Sequence, residues 1–243
     1  MLTPSEMKDR MHELARNEGH IAGIYNYCDR WCERCAFTSK CLNYVSSEDA
    51  PDSDGPELFD YLHNVFEATM LMLEEMMEEA GLDPEEVKNM DPPEKPDPKE
   101  HPLYKKVHEL SFSIHNWLEQ NKPGTLYDEE SEVMSDKEKN KRFKDALEVI
   151  YFYNFFISAK IYRALIPRDD YEPDEIQTDF NGSAKIALIA VDRLIAAWSI
   201  AMENMMDHQD EILKFLVSLA DIRKQTELTF PQARKFVRPG FDN

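Results

Sequence analysis

Four cysteines, Cys28, Cys32, Cys35 and Cys41, stand in one run of fourteen residues and are the only cysteines among 243 residues. Thiolates bind Zn²⁺ and iron-sulfur clusters, so four of them crowded at C-x3-C-x2-C-x5-C predict a shared metal site. Two disulfides are the poorer expectation for a chain of a reducing compartment. Structural zinc sites usually draw their ligands from two separated pairs. A single compact run suits wrapping a cubane, so a [4Fe-4S] cluster is the expected cofactor, with a zinc ion as the alternative.

Two resemblances bear on that choice. The spacing Cys32-x2-Cys35-x5-Cys41, with Phe37 shortly after Cys35, resembles the iron-sulfur loop of the helix-hairpin-helix DNA glycosylases. It covers about fifteen residues, implies a [4Fe-4S] centre and implies nothing about glycosylase activity. The spacing Cys28-x3-Cys32-x2-Cys35 is similar to that of the radical S-adenosylmethionine enzymes, which implies a cluster with one iron open to a cofactor. Here neither strands nor a glycine-rich segment accompany the motif, and Cys41 is available to close the cluster.

Around the cysteines, Tyr25, Tyr27, Trp31, Phe37 and Tyr44 are expected to cover the site, and Arg30, Arg34 and Lys40 to offset thiolate charge. If Trp31 and Phe37 fold inward, the centre is shielded from water and oxidant.

Other chemistry-bearing groups form no comparable set. A ferritin-like di-metal site needs a Glu-x-x-His pair on each of two helices and a further Glu on each of two others. Asp60, His63 and Glu67 approach it, but Glu74 and Glu78 continue their stripe as a solvated face. His101, His108 and His115 recur every seven residues, about 10 Å apart along a helix, too far for two of them to share one ion. Glu148, among Tyr151, Phe152 and Phe155, is the best candidate for a buried carboxylate, paired with Arg193 or Lys160. No nucleophile-base set and no phosphate loop is present, so no reaction is assigned.

The net charge of −20 disfavours nucleic acid, whose binding depends on lysines and arginines displacing counterions. Between residues 46 and 100, 18 acidic residues stand against three lysines, which localises most of that charge. The stretch is read as a solvated face, or else as a docking surface for a basic protein partner. An oligomer is left open. There is no run of eighteen apolar residues, and Met1 to Glu6 has neither a basic nor an apolar leader segment. A cytoplasmic protein without a membrane span is therefore expected.

Helices must position the site. Thr3-Pro4-Ser5-Glu6 is a capping box with proline at the first helical position, opening a helix expected to reach the cysteines. Pro56 opens a second helix, closed at Gly81, whose Leu58, Leu62, Val65, Thr69, Met72, Leu73 and Met76 form an apolar stripe expected to face a core. A short helix follows Asp83-Pro84. Asp91 to Pro102 is proline-rich and is read as an extended surface linker.

Four further helices are expected: Leu103 to about Leu118, Ser135 to about Ile166, Ser183 to Met206 and Asp210 to Thr226. The second of these, rich in aromatics, is taken as the central one. The fold class is therefore all-α: a bundle of about six helices with a cysteine-rich metal-binding loop after the first. The predicted division is 1–45 for the first helix and metal loop, 46–230 for the acidic bundle, and 231–243 for a tail.

Overall fold

The computed structural model describes residues 2–51, 55–89, 95–123, 134–167 and 175–242. Among them there are helices and turns but no strand. The chain forms two compact units, Met1–Glu94 together with Arg238–Asn243, and Lys95–Val237. The boundary falls in the proline-rich stretch rather than at residue 45, and the last residues belong with the cysteine loop.

The second unit is a four-helix bundle of α5 (Pro102–Asn121), α6 (Met134–Ala164), α7 (Asp179–Asn204) and α8 (Gln209–Thr229). Its pairings fix the directions. Tyr104 meets Tyr162 and Phe112 meets Phe155, Arg163 pairs with Asp179, and Trp198 meets Phe215. Each helix therefore runs antiparallel to the next, and Lys106 on α5 pairs with Asp221 on α8 to close the ring.

The deepest helix is α7 rather than the aromatic-rich α6. Gly182, Ser183, Ala184, Ala187 and Ala190 keep its buried face narrow, which lets α6 approach closely. Large side chains fill what remains: Ile150, Tyr153, Ile157, Leu188, Leu194 and Trp198 are fully buried, each worth about 1.5–3 kcal/mol of burial for an aliphatic side chain.

From Ala146 onward α6 is apolar nearly all round without being buried all round. Its outward aromatics, Tyr151 and Phe155, are exposed, and Glu148 beside them is exposed too. The expectation of a buried carboxylate at Glu148 is thus overturned. Arg193 is likewise exposed and donates to the Tyr153 hydroxyl, its guanidinium lying 5.3 Å from that ring's centre. The polar groups buried in α6 are others, Asn154, Ser158 and Lys160: Asn154 donates to the Ser111 carbonyl at 2.9 Å, and the Ser111 hydroxyl donates to the Asn154 carbonyl at 2.7 Å.

The three histidines of α5 serve separate purposes. His101 caps the helix, its Nδ1 accepting from the Leu103 amide at 3.2 Å, while His108 and His115 lie against Phe112 and Phe155.

Two stretches expected to be loose belong to this unit. Pro98–Glu100 forms a 3₁₀ turn with Pro98 buried, so the linker reading fails there; residues 90–94 lie outside the described ones. After α8, Phe230, Ala233 and Phe236 are buried, and Gln177 brackets Val237 by two hydrogen bonds. The residues before Met134, and the side chains of Ser135 and Asp136, also lie outside the described set, so the proposed cap there is not described.

In the first unit α1 (Pro4–Ala15) begins as expected. The Glu6 carboxylate accepts from the Thr3 amide at 2.9 Å, and Thr3 Oγ1 accepts from the Glu6 amide. The helix stops well short of the cysteines because Asn17 and Gly19 form a turn, the Gly19 amide donating to Asn17 Oδ1 at 2.9 Å. Gly23 then takes a left-handed φ of 72°.

After the cysteine loop come α2 (Leu42–Ser47), α3 (Pro56–Glu79) and the five-residue α4 (Pro84–Lys88). Gly81, at φ 67°, ends α3, and the Leu82 amide returns to the Met77 carbonyl at 2.9 Å. No helix among the described residues is long and apolar enough to cross a membrane.

Helices α1 and α3 run parallel: Asn64 donates to the Leu2 carbonyl, and farther along Lys8 pairs with Glu75. Met7 and Leu14 of α1 and Ala68 of α3 are buried between them. Among the described residues α3 packs chiefly on α1, and it does not bury the whole stripe read from the sequence. Leu58, Val65 and Met72 are half-buried, whereas Leu62, Thr69, Leu73 and Met76 are exposed.

The Lys8 ammonium holds the Glu75 carboxyl below its ordinary value of 4.5. A depressed folded-state value means stability present above about pH 4.5 and lost as the pH falls through the lowered one. A Glu75→Gln variant is therefore expected to melt below the parent at pH 7, the gap closing towards pH 3. Thermal unfolding at the two pH values measures it.

Candidate metal centre

The loop between α1 and α2 is a chain of single turns rather than an extension of a helix, and the last two turns set Cys35 and Cys41. Three-residue 3₁₀ turns cover Ile24–Asn26, Cys32–Arg34 and Thr38–Lys40. The Cys35 amide donates to the Cys32 carbonyl and the Cys41 amide to the Thr38 carbonyl, both at 3.1 Å. Cys28 lies beyond the first turn, so no regular helix holds it, contrary to what a longer α1 would give. The Ile21 amide donates to the Lys40 carbonyl at 2.9 Å and ties the two ends of the loop together.

All four cysteines are half-buried and line one pocket with Ile24, Trp31, Tyr44 and Phe241. The Phe37 amide donates to Cys35 Sγ at 3.4 Å, and Cys28 Sγ lies 3.6 Å from the Tyr25 carbonyl oxygen. Arg30, also lining the pocket, takes a left-handed φ of 60° between the first two cysteines. For a residue with a Cβ that conformation is uncommon and marks a tightly specified turn.

The thiols fit a soft cation by their chemistry. Burial raises the Cys32 thiol pKa first, and the neighbouring Cys28 and Cys41 raise it further, with smaller additions from Glu33 and Cys35. Four thiolates held so close repel one another unless a cation neutralises them. The four cysteines share one pocket without yet forming a ligand set. Among the described residues, no set of three or more His, Cys, Asp or Glu side chains stands ready at ligand geometry for a metal ion.

The surrounding side chains are only partly those expected. Trp31 and Tyr44 line the pocket, and Arg34 lies over the Trp31 ring at 4.2 Å. Phe37 is half-buried, its ring packed edge-on against Phe241 at 5.1 Å. Arg34 and Lys40 are exposed.

Ile24 and Phe241 are the residues that sequence reasoning missed. Phe241 is placed by a tight C-terminal turn. Gly240, at φ 76°, brings the backbone so near the loop that a Cβ would stand 2.9 Å from Ile21 Cδ1 and 3.1 Å from Ile24 Cδ1. Arg238 grips Asp242 at 2.8 Å and lies over the Phe241 ring at 4.9 Å. The one available signal was Gly240 and Phe241 following Pro239, which nothing local connects to the cysteines.

Among the described residues the di-metal constellation does not assemble. Asp60, His63 and Glu67 are exposed on α3, and His63 pairs with Glu67 at 3.2 Å. Compared with known proteins, the chain matches no family model, no curated protein and no solved structure.

Proposed function

We propose that the first unit is a thiolate metal module holding a [4Fe-4S] cluster on Cys28, Cys32, Cys35 and Cys41, with an electron-transfer or redox-sensing role. The observation that carries it is the convergence of all four cysteines on one pocket, with the Phe37 amide donating to Cys35 Sγ. Such N–H to sulfur bonds stabilise a cluster's charge and tune its potential. When bound, the cluster supplies one-electron chemistry. The protein's part is to fix the four sulfurs, withhold water through Trp31 and Phe241, and neutralise charge with Arg30.

A single zinc ion, stapling the loop as part of an interaction module, is the second reading. It is favoured by the free space inside the pocket, about 20 Å³, which is near what one water-sized species occupies. A cluster requires the loop to open around it.

Protein purified without air is expected to be brown, with a broad absorption near roughly 400 nm and about four irons and four sulfides per chain. Colourless protein carrying one zinc rejects the cluster and leaves the staple.

A further inference from the structure

A second face of the first unit is built for an occupant. Helix α3 turns Leu58, Val65, Ala68 and Met72 towards α1, yet it carries a further apolar row on its outer side. Phe59, Leu62, Phe66, Met70, Leu73 and Met76 recur at steps of three and four, so they form one continuous stripe. All six are exposed, Phe59 by 71%, Phe66 by 65% and Met76 by 63%. Together they present on the order of 600 Å² of apolar surface, the upper end for a monomer's largest patch and approaching the ~800 Å² that each partner gives to a stable interface. Methionine's flexible thioether lets such a surface adapt to an incoming side chain.

The charge beside the stripe names the partner. Asp60, Glu67, Glu74 and Glu78 follow one edge of it, all exposed, with only His63 among them. The helix holds seven acidic residues and no lysine or arginine. A second copy would bring another acidic helix against these carboxylates, and an anionic membrane surface would repel them. A helix with large apolar side chains on one face and lysines or arginines flanking it satisfies both the stripe and the edge. We infer that the outer face of α3 is a docking site for a basic amphipathic helix of another protein. This does not rest on the identity of the metal.

The probe is a fluorescent twenty-residue peptide with leucines on one helical face and lysines on the rest, titrated against the full metal-loaded chain and followed by anisotropy. Because the whole protein is acidic, position decides the matter. A Phe59→Ser, Phe66→Ser double variant is expected to bind at least tenfold more weakly. A control that replaces Leu213 and Val217, exposed on α8, by serine is expected to bind as the parent does. Glu67→Gln with Glu74→Gln is expected to weaken binding severalfold and flatten its salt dependence.

Both α3 substitutions fall on exposed positions, and unchanged helicity checks that the fold is kept. Equal binding by the Phe59, Phe66 variant overturns the inference, as does equal binding of a peptide with glutamates in place of the lysines. A parent dimer in solution that Phe66→Ser dissociates overturns it as well, assigning the face to a second copy.

Discussion

Serine in place of Cys32 is expected to empty the site of metal and to lower the unfolding transition of the first unit by more than about 10 °C, while the four-helix bundle stays folded. Of the four thiols, Cys32 has its pKa raised by burial and by the other three cysteines together, so it stands where their fields converge. Apparent binding energies of structural metal sites reach about 10–16 kcal/mol, and in a unit whose long helices are just α1 and α3 among the described residues much of that would be folding energy. A loss of only about 2 kcal/mol already shifts a domain of this size by roughly 10 °C. Metal analysis and calorimetry on the four single serine variants test the set. Full metal content in any one of them removes that position from the site.

The cysteine set was legible because its signal is local: four soft ligands within fourteen residues need no tertiary information. The long helices were legible for the same reason, through capping residues at Thr3 and Pro56 and periodic apolar positions. What failed was whatever depends on which neighbour a face meets. Periodicity shows that α3 has apolar sides but not that α1 covers only one of them. Aromatic density around Glu148 suggested burial, yet Tyr151 and Phe155 are themselves exposed. The contact of Phe241 with Phe37 spans nearly the whole chain, and no pattern in either segment announces the other.

With the proposed cluster bound, a Gly240→Val variant would lose it in air about tenfold faster than the parent, close to the rate of a chain truncated after Val237. Two effects act at this position, and the backbone decides. The contact of a new Cβ with Ile21 Cδ1 at 2.9 Å meets the end of a movable side chain. The left-handed φ of 76° cannot be relieved that way, and it costs a residue with a Cβ about 1–2 kcal/mol, more for a branched one. Phe241 meets the loop at Phe37, and Arg238 braces Asp242 within the tail, so that penalty is expected to loosen the tail. Absorbance decay under air measures the loss. An unchanged rate shows that Trp31 alone shields the centre, and a faster rate with unchanged helicity assigns the protection to the tail.

The cysteine unit is discontinuous in the chain, its last strap arriving only after residues 95–237 have been threaded through the bundle. While those residues are unfolded, docking Phe241 on Phe37 closes a loop of 204 residues, an entropic cost of about 5 kcal/mol from length alone. Once the bundle is folded, residues 95–237 no longer add their length to that loop. Native topology thus ties closure of the cysteine pocket by Phe241 to folding of the bundle, although the bundle contributes no cysteine. Denaturant that melts only the bundle is expected to uncover the cysteines while α1 and α3 stay paired, so thiol labelling reports the melting of helices that carry no thiol.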